Sequence, residues 1–208
     1  MQVLSIQKGK RHLIEIVLQG REQPLCIDEE VFVTSHLQLQ DVLDEQTVCE
    51  LQYQSDLVRA RNKAMWLIGR REYSKKELMR RLQSDFDPDA AETAVLQLCE
   101  SGIVDDRRFA YQYAKELASF KHLSATGIAF ELQKKGIDRE LAKEAAQSCA
   151  PDEEQTALAL IDQKYPNGLP DEKAVRRMAG FLQRKGYHYD VIRRVIRQKQ
   201  KGELDEDV

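Results

Sequence analysis

Leu132-Gln133-Lys134-Lys135-Gly136-Ile137 returns fifty residues later as Leu182-Gln183-Arg184-Lys185-Gly186-Tyr187. It stands fifty residues earlier in altered form, as Leu82-Gln83-Ser84-Asp85-Phe86. Working outward, apolar positions keep the same register: Leu78, Ile128 and Met178; Ala91, Leu141 and Val191; Val95, Ala145 and Val195; Leu96, Ala146 and Ile196. One unit has been used three times. Self-similarity at a period of this size marks a helical repeat array, in which neighbouring units bury faces that one unit cannot bury alone.

Each unit reads as three helices. In the first, Leu57, Ala60, Ala64, Leu67 and Ile68 recur at helical spacing from about Asp56. Ser74 and Glu77 then form an S-x-x-E capping box, and Asp87-Pro88 opens a third helix carrying Ala91, Ala94, Val95 and Leu98. The second unit starts at Asp105-Asp106, runs through Phe109, Ala110, Ala114 and Leu117, restarts after Ser124, stops at Gly136 and resumes behind the cap Asp138. The third runs from Asp152 through Leu158, Ile161 and Tyr165. It crosses Pro166-Asn167-Gly168-Leu169-Pro170, and its last two helices carry Val175, Met178 and Leu182, then Val191, Ile192, Val195 and Ile196. Gly136 and Gly186 are placed to take the left-handed conformation that closes a helix.

Ahead of the array the pattern changes. Val3 to Ile6, Leu13 to Leu18 and Leu25 to Ile27 alternate as strands, with hairpin turns expected at Lys8-Gly9-Lys10 and Gln19-Gly20-Arg21. A short helical turn is expected from Asp28 to Val33, and a helix from Asp44 to Tyr53 that leads into the array. The fold class is therefore mainly α: three tandem three-helix repeats forming an elongated array, preceded by a small β-sheet and helix leader. The expected boundaries are 1–52 for the leader, 53–104, 105–150 and 151–202 for the repeats, and 203–208 for an acidic tail.

The net charge of −3 argues against a simple polyanion binder, but the charge is segregated. From Arg59 to Arg81 nine Lys or Arg face only Glu72 and Glu77, and from Lys173 to Lys201 ten face only Asp190. The first 52 residues hold four basic residues against nine acidic ones. Such segregation favours basic faces offered to one partner. No apolar run approaches the roughly eighteen residues of a membrane helix, and the amino terminus has no signal pattern, so a cytoplasmic protein without membrane contact is expected. Cys26, Cys49, Cys99 and Cys149 form no CxxC pair and are expected as reduced, buried thiols.

Catalytic motifs are missing: there is no Gly-rich phosphate loop, G-x-S-x-G, H-E-x-x-H or calcium loop. Cys149 with His122 or His188 is a conceivable thiol centre, but a cysteine repeated in register reads better as a small core residue. Asp105-Asp106 reads as a helix cap before it reads as a metal pair. No cofactor and no metal site are expected. Basic residues at helix ends complement the helix dipole, which accounts for part of the pattern but not for its accumulation in the outer repeats. Phosphate recognition needs such a surface, so contact with single- or double-stranded DNA through basic faces is expected. Trp66, between Met65 and Leu67, is expected to be packed; Tyr187 and Tyr189 stand open between packing and base stacking.

Three ordered motifs carry a resemblance. Arg70-Arg71-Glu72-Tyr73-Ser74-Lys75-Lys76-Glu77-Leu78, Gly102-Ile103-Val104-Asp105-Asp106-Arg107-Arg108-Phe109-Ala110, and Leu132 to Ile137 together resemble the RecX regulators of bacterial recombination over about residues 53–200. Phe86 departs from the pattern, standing where the later repeats have glycine, and the third repeat lacks the D-D-x-x-F-A opening. The resemblance implies three three-helix repeats, no catalytic activity, and an elongated array lying in the groove of the RecA filament, where it restrains filament growth, strand exchange and filament-stimulated cleavage; a monomer is expected. The candidate contacts are Arg70, Arg71, Lys75, Lys76, Arg80, Arg81, Lys134, Lys135, Arg176, Arg177, Arg184, Lys185, Arg193, Arg194 and Arg197. A DNA-binding array whose protein partner is incidental is the alternative.

Overall fold

The computed structural model describes residues 1–149 and 152–206, those of 201–206 as backbone only. Three strands precede ten helices among the described residues, and the chain divides into two compact units, Met1–Asp105 and Asp106–Val208.

The first unit opens with β1 (Val3–Lys8), β2 (Leu13–Leu18) and β3 (Leu25–Asp28), antiparallel in that order. The first hairpin turn differs from expectation: the left-handed residues are Arg11 and His12, and Gly9 is not among those of positive φ. Leu13 N–H returns to the Lys10 carbonyl at 3.2 Å, closing a turn with two positive-φ central residues, whose twist matches that of paired strands. Gly20, at φ 81°, serves the second turn as expected. Val3, Ile14, Ile16, Leu18, Leu25 and Ile27 form the buried face. They pack with Val31 of α1 (Glu29–Ser35) and with Val48, Leu51 and Val58 of α2 (Glu45–Ile68). Buried Ser55 of α2 accepts the Asp28 N–H at 2.9 Å, satisfying a hydroxyl that burial would otherwise leave unpaired.

Helix α2 is one continuous helix where the sequence reading has two. Nothing between Tyr53 and Asp56 breaks it, because neither glycine nor proline interrupts the run. It joins α3 (Lys75–Gln83) and α4 (Pro88–Glu100) around Ala64, Leu67, Leu78, Leu82, Ala91, Val95 and Leu98. The caps are those expected: Ser74 Oγ accepts from Glu77 N–H at 3.1 Å, and Asp87 from Asp89 and Ala90 N–H at 3.0 Å each.

In the second unit α5 (Asp106–Lys121), α6 (Ala125–Lys134) and α7 (Arg139–Cys149) enclose Phe109, Ala110, Leu117, Ile128, Leu132 and Ala145. Helices α8 (Glu153–Lys164), α9 (Glu172–Arg184) and α10 (Tyr189–Glu206) enclose Ile161, Met178, Leu182, Tyr187, Val195 and Ile196. The repeat survives at the level of exposure. Positions 71–80 and 121–130 follow one pattern of burial residue for residue, as do 131–140 and 181–190. Gly136 and Gly186 end α6 and α9 at φ 90° and 87°, as expected.

Three further expectations fail. The four cysteines are free, but none is buried: Cys49 is exposed and the others are half-buried, because they sit at the edge of the apolar stripes. Trp66 is 58% exposed on the outer side of α2. Leu96 is 38% exposed, although its counterparts Ala146 and Ile196 are buried. The acidic tail of 203–208 lies outside the residues whose side chains are described.

Candidate partner-binding surface

Arg80, Arg81, Lys134 and Arg184 lie in the last turns of α3, α6 and α9, while Arg176 and Arg177 lie within α9 and Arg193, Arg194 and Arg197 within α10. In the first unit Arg70 follows α2, with its guanidinium 4.8 Å from the centre of the Trp66 ring. Arg71 forks onto Glu77 through two bonds of 3.1 Å, lies 3.6 Å from the Tyr73 ring centre and donates to the Glu72 carbonyl. Its bond to Glu77 holds the guanidinium above its ordinary pKa. Arg71 thus braces the loop into α3, a task separate from contacting a partner. Lys76, Arg80 and Arg81 are exposed on α3, and Lys75 is half-buried beside its cap.

In the second unit Lys134 ends α6, 2.7 Å from Glu131 and 4.5 Å from the centre of the Phe130 ring. Lys135 lies 5.7 Å from the Tyr113 ring. Arg176 pairs with Glu172 at 2.6 Å along α9, and Arg194 reaches Glu154 of α8 at 2.5 Å. Arg177, Arg184, Arg193 and Arg197 are exposed. Exposed pairs of this kind contribute roughly 0–1 kcal/mol, so the cations remain available to exchange partners.

Lys185 differs from its neighbours. Its ammonium donates to the Lys121 carbonyl and lies 5.1 Å from the Phe181 ring, and burial lowers its pKa. Around it the third repeat is tied to the second by backbone. Ser124 N–H donates to the Lys185 carbonyl at 3.1 Å, Ala125 N–H to Glu153 Oε1 at 3.0 Å, and Tyr187 Oη–H to the His122 carbonyl at 3.2 Å. Tyr187 is 4% exposed, and burial pushes its phenol up to about 12. Glycine is required on both sides of this junction. A Cβ on Gly127 would collide with the Lys185 carbonyl oxygen, and one on Gly186 would lie 2.5 Å from Gly127 N.

Of the candidates, Lys134 and Arg184 are brought to one groove of about 500 Å³, together with Lys121, Gly127, Phe130 and Glu131. Phe130, which the sequence reading passed over, is 58% exposed there. Its missing signal was alignment: the matching residues are Arg80 and Gly180, both non-core, so position 130 is a surface position despite its aromatic residue. Tyr187 is resolved as a packing residue and Tyr189 as an exposed one, at 70%. A cavity of about 590 Å³ in the first unit is lined by Asp56, Asp87 and Asp89 beside Tyr53, the wrong sign for a polyanion.

Cys149 Sγ lies 3.8 Å from the Tyr111 carbonyl and 3.6 Å from Ser148 Oγ, while His188 Nδ1 lies 3.2 Å from Asp190 Oδ2. Helix α5 starts at Asp106. Among the described residues no group of three or more His, Cys, Asp or Glu is placed to hold a metal, and no helix is long and apolar enough to cross a membrane. A tight polar cluster, Arg107 and Tyr111 on Glu144 at 2.7 Å each, joins α5 to α7. It holds the Glu144 carboxyl below its usual range, chiefly through the tyrosine hydroxyl.

Three family models match in order: the first, second and third three-helix domains of RecX, at residues 60–98, 105–145 and 152–196. The chain is 30% identical to the regulatory protein RecX of Bacillus velezensis over 98% of its own length and 78% of that protein. It is 32% identical to that of Thermobifida fusca over 70% and 80%. A crystal structure of a regulatory protein RecX aligns with a TM-score of 0.63 at 18% identity, over 93% of this chain and 98% of the other. That of RecX from Lactobacillus salivarius gives 0.59 at 21%, over 70% and 97%.

Proposed function

The chain belongs to the RecX family, and from that premise we propose that it binds the RecA filament on DNA and restrains filament growth, strand exchange and filament-stimulated cleavage. The observation that carries this reading is the ordered match of all three RecX three-helix domains, with cations repeated at their helix ends. A periodic binder suits a periodic partner, since a helical filament repeats its surface as the array repeats its helix ends. Arg80, Arg81, Arg177, Arg184, Arg193 and Arg197 are the exposed cations the contact would use first, with the DNA phosphates or acidic side chains of the filament as counter-charges. The protein acts by occupancy as a cytoplasmic monomer, without catalysis or cofactor, and its strand-rich leader is joined to the first repeat through α2.

The test is cosedimentation of the full chain with RecA filaments on single-stranded DNA, alongside the filaments' ATP hydrolysis. Comigration with slowed hydrolysis supports the proposal. A chain that stays in the supernatant and leaves hydrolysis and strand exchange unchanged overturns it.

A further inference from the structure

We propose that the groove between α6 and the α9–α10 turn is a stacking site for a base of single-stranded nucleic acid, with Phe130 as the platform and Lys134 and Arg184 as the phosphate contacts. The inference rests on the reading that the basic helix ends meet nucleic acid, and it adds a site and a strand state to it.

Phe130 lies on the outward side of α6, where the other repeats have Arg80 and Gly180. An aromatic ring 58% exposed at such a position contributes little to the core, whose α6 members Ile128 and Leu132 are fully buried. The ring sits in a cleft rather than on an open face. Gly127 and Gly186, which approach each other too closely for any side chain, give that cleft a floor made of backbone. Its volume, about 500 Å³, is in the range of small-ligand sites.

Charge selects the occupant. The lining contains Lys121, Lys134 and Arg184 against one carboxylate, Glu131. An apolar side chain from a protein would cover the ring but leave this excess of positive charge uncompensated in a partly desolvated cleft. A nucleotide supplies both parts, a flat π-face for Phe130 and a phosphate for the cations; stacking of this kind tolerates any base. The strand must be single, because a duplex keeps its base faces stacked inside.

The test uses the full chain with fluorescently labelled oligo(dT) and an oligonucleotide of equal length made of abasic sites, which keeps the phosphates and removes the bases. Phe130→Ala is expected to weaken oligo(dT) binding by about tenfold and leave the abasic probe unaffected. Arg184→Ala weakens both probes and flattens the salt dependence. In a Trp66→Phe background, Phe130→Trp retains binding, and its emission is quenched by oligo(dT). The site is refuted if Phe130→Ala changes both probes equally or neither, or if its only defect appears with the RecA filament, which would make the ring a protein contact. Because the probes contain no RecA, the two proposals fail separately. A chain that ignores filaments yet discriminates the probes through Phe130 keeps the site and loses the proposed function, and the reverse result keeps only the function.

Discussion

The first repeat and the later two end their middle helices differently. After Leu82 the chain turns through Ser84 and Asp85 to Phe86, whose ring lies 5.3 Å from the Arg59 guanidinium and 5.9 Å from the Lys63 ammonium, inside its own unit. After Leu182 it turns through Lys185 to Gly186, left-handed and pressed against Gly127 of the preceding repeat. The first ending is a plug made by a side chain; the second is a docking surface made by the lack of one. A phenylalanine there holds the repeat to itself, whereas a glycine lets the backbone of another repeat come within hydrogen-bonding distance. The altered motif at residues 82–86 is therefore a different solution, not a degraded copy.

The largest expected effect falls on the glycine ending. Gly186→Ala adds the strain of a left-handed alanine, about 1–2 kcal/mol, to an overlap with Gly127 and Ser124 of about 1–3 kcal/mol. Gly102, also left-handed at φ 71° but with nothing within 4 Å of its would-be Cβ, bears only the first term. Urea unfolding of both variants separates docking from strain, and equal losses would break the comparison. Phe86→Gly, which gives the first repeat the later ending, is expected to cost about 2 kcal/mol because a half-buried ring is lost and no neighbouring backbone within the unit takes its place. A neutral result would mean that glycine stops the helix equally well wherever it stands.

Tyr187→Phe is smaller, about 1 kcal/mol for one hydroxyl bonded to the His122 carbonyl. It carries a pH signature. Burial raises this phenol to about 12 from an ordinary value near 10, so the unfolded chain releases its proton first as pH rises. The stability it contributes is complete below about pH 10 and is lost on the way to pH 12. The wild type should lose more stability across that interval than Tyr187→Phe, as measured by urea unfolding at each pH; parallel curves would remove Tyr187 from the junction.

Much of this fold was legible because its signals are local. The caps Ser74, Asp87, Ser124, Asp138 and Asp152 each satisfy a backbone N–H two or three residues away, so neighbouring residues suffice to announce them. The strands were equally plain, since alternation needs only a few residues. What was missed depends on distant partners. Trp66 stands among apolar neighbours, and only the packing of α2 leaves it outside. Lys185 reads as a surface cation until the Lys121 carbonyl is found beneath it. Gly127 carries no local turn signal because it sits in regular helix; its requirement comes from a residue nearly sixty positions away. The left-handed pair Arg11 and His12 defied the expectation that glycine takes such positions, and the hairpin register explains why. For the candidate surface, composition located the cations but not which of them share a groove.

The most direct test of the central claim is cosedimentation with RecA filaments on single-stranded DNA at physiological ionic strength, comparing the wild type with Arg176→Glu/Arg177→Glu. Both substitutions lie on the exposed side of α9 and leave its buried residues Ala174, Met178 and Leu182 untouched. The wild type is expected to pellet with the filaments and the charge-reversed chain to bind about tenfold more weakly. A wild-type chain that remains in the supernatant, or a reversed chain that pellets equally well, would contradict that claim.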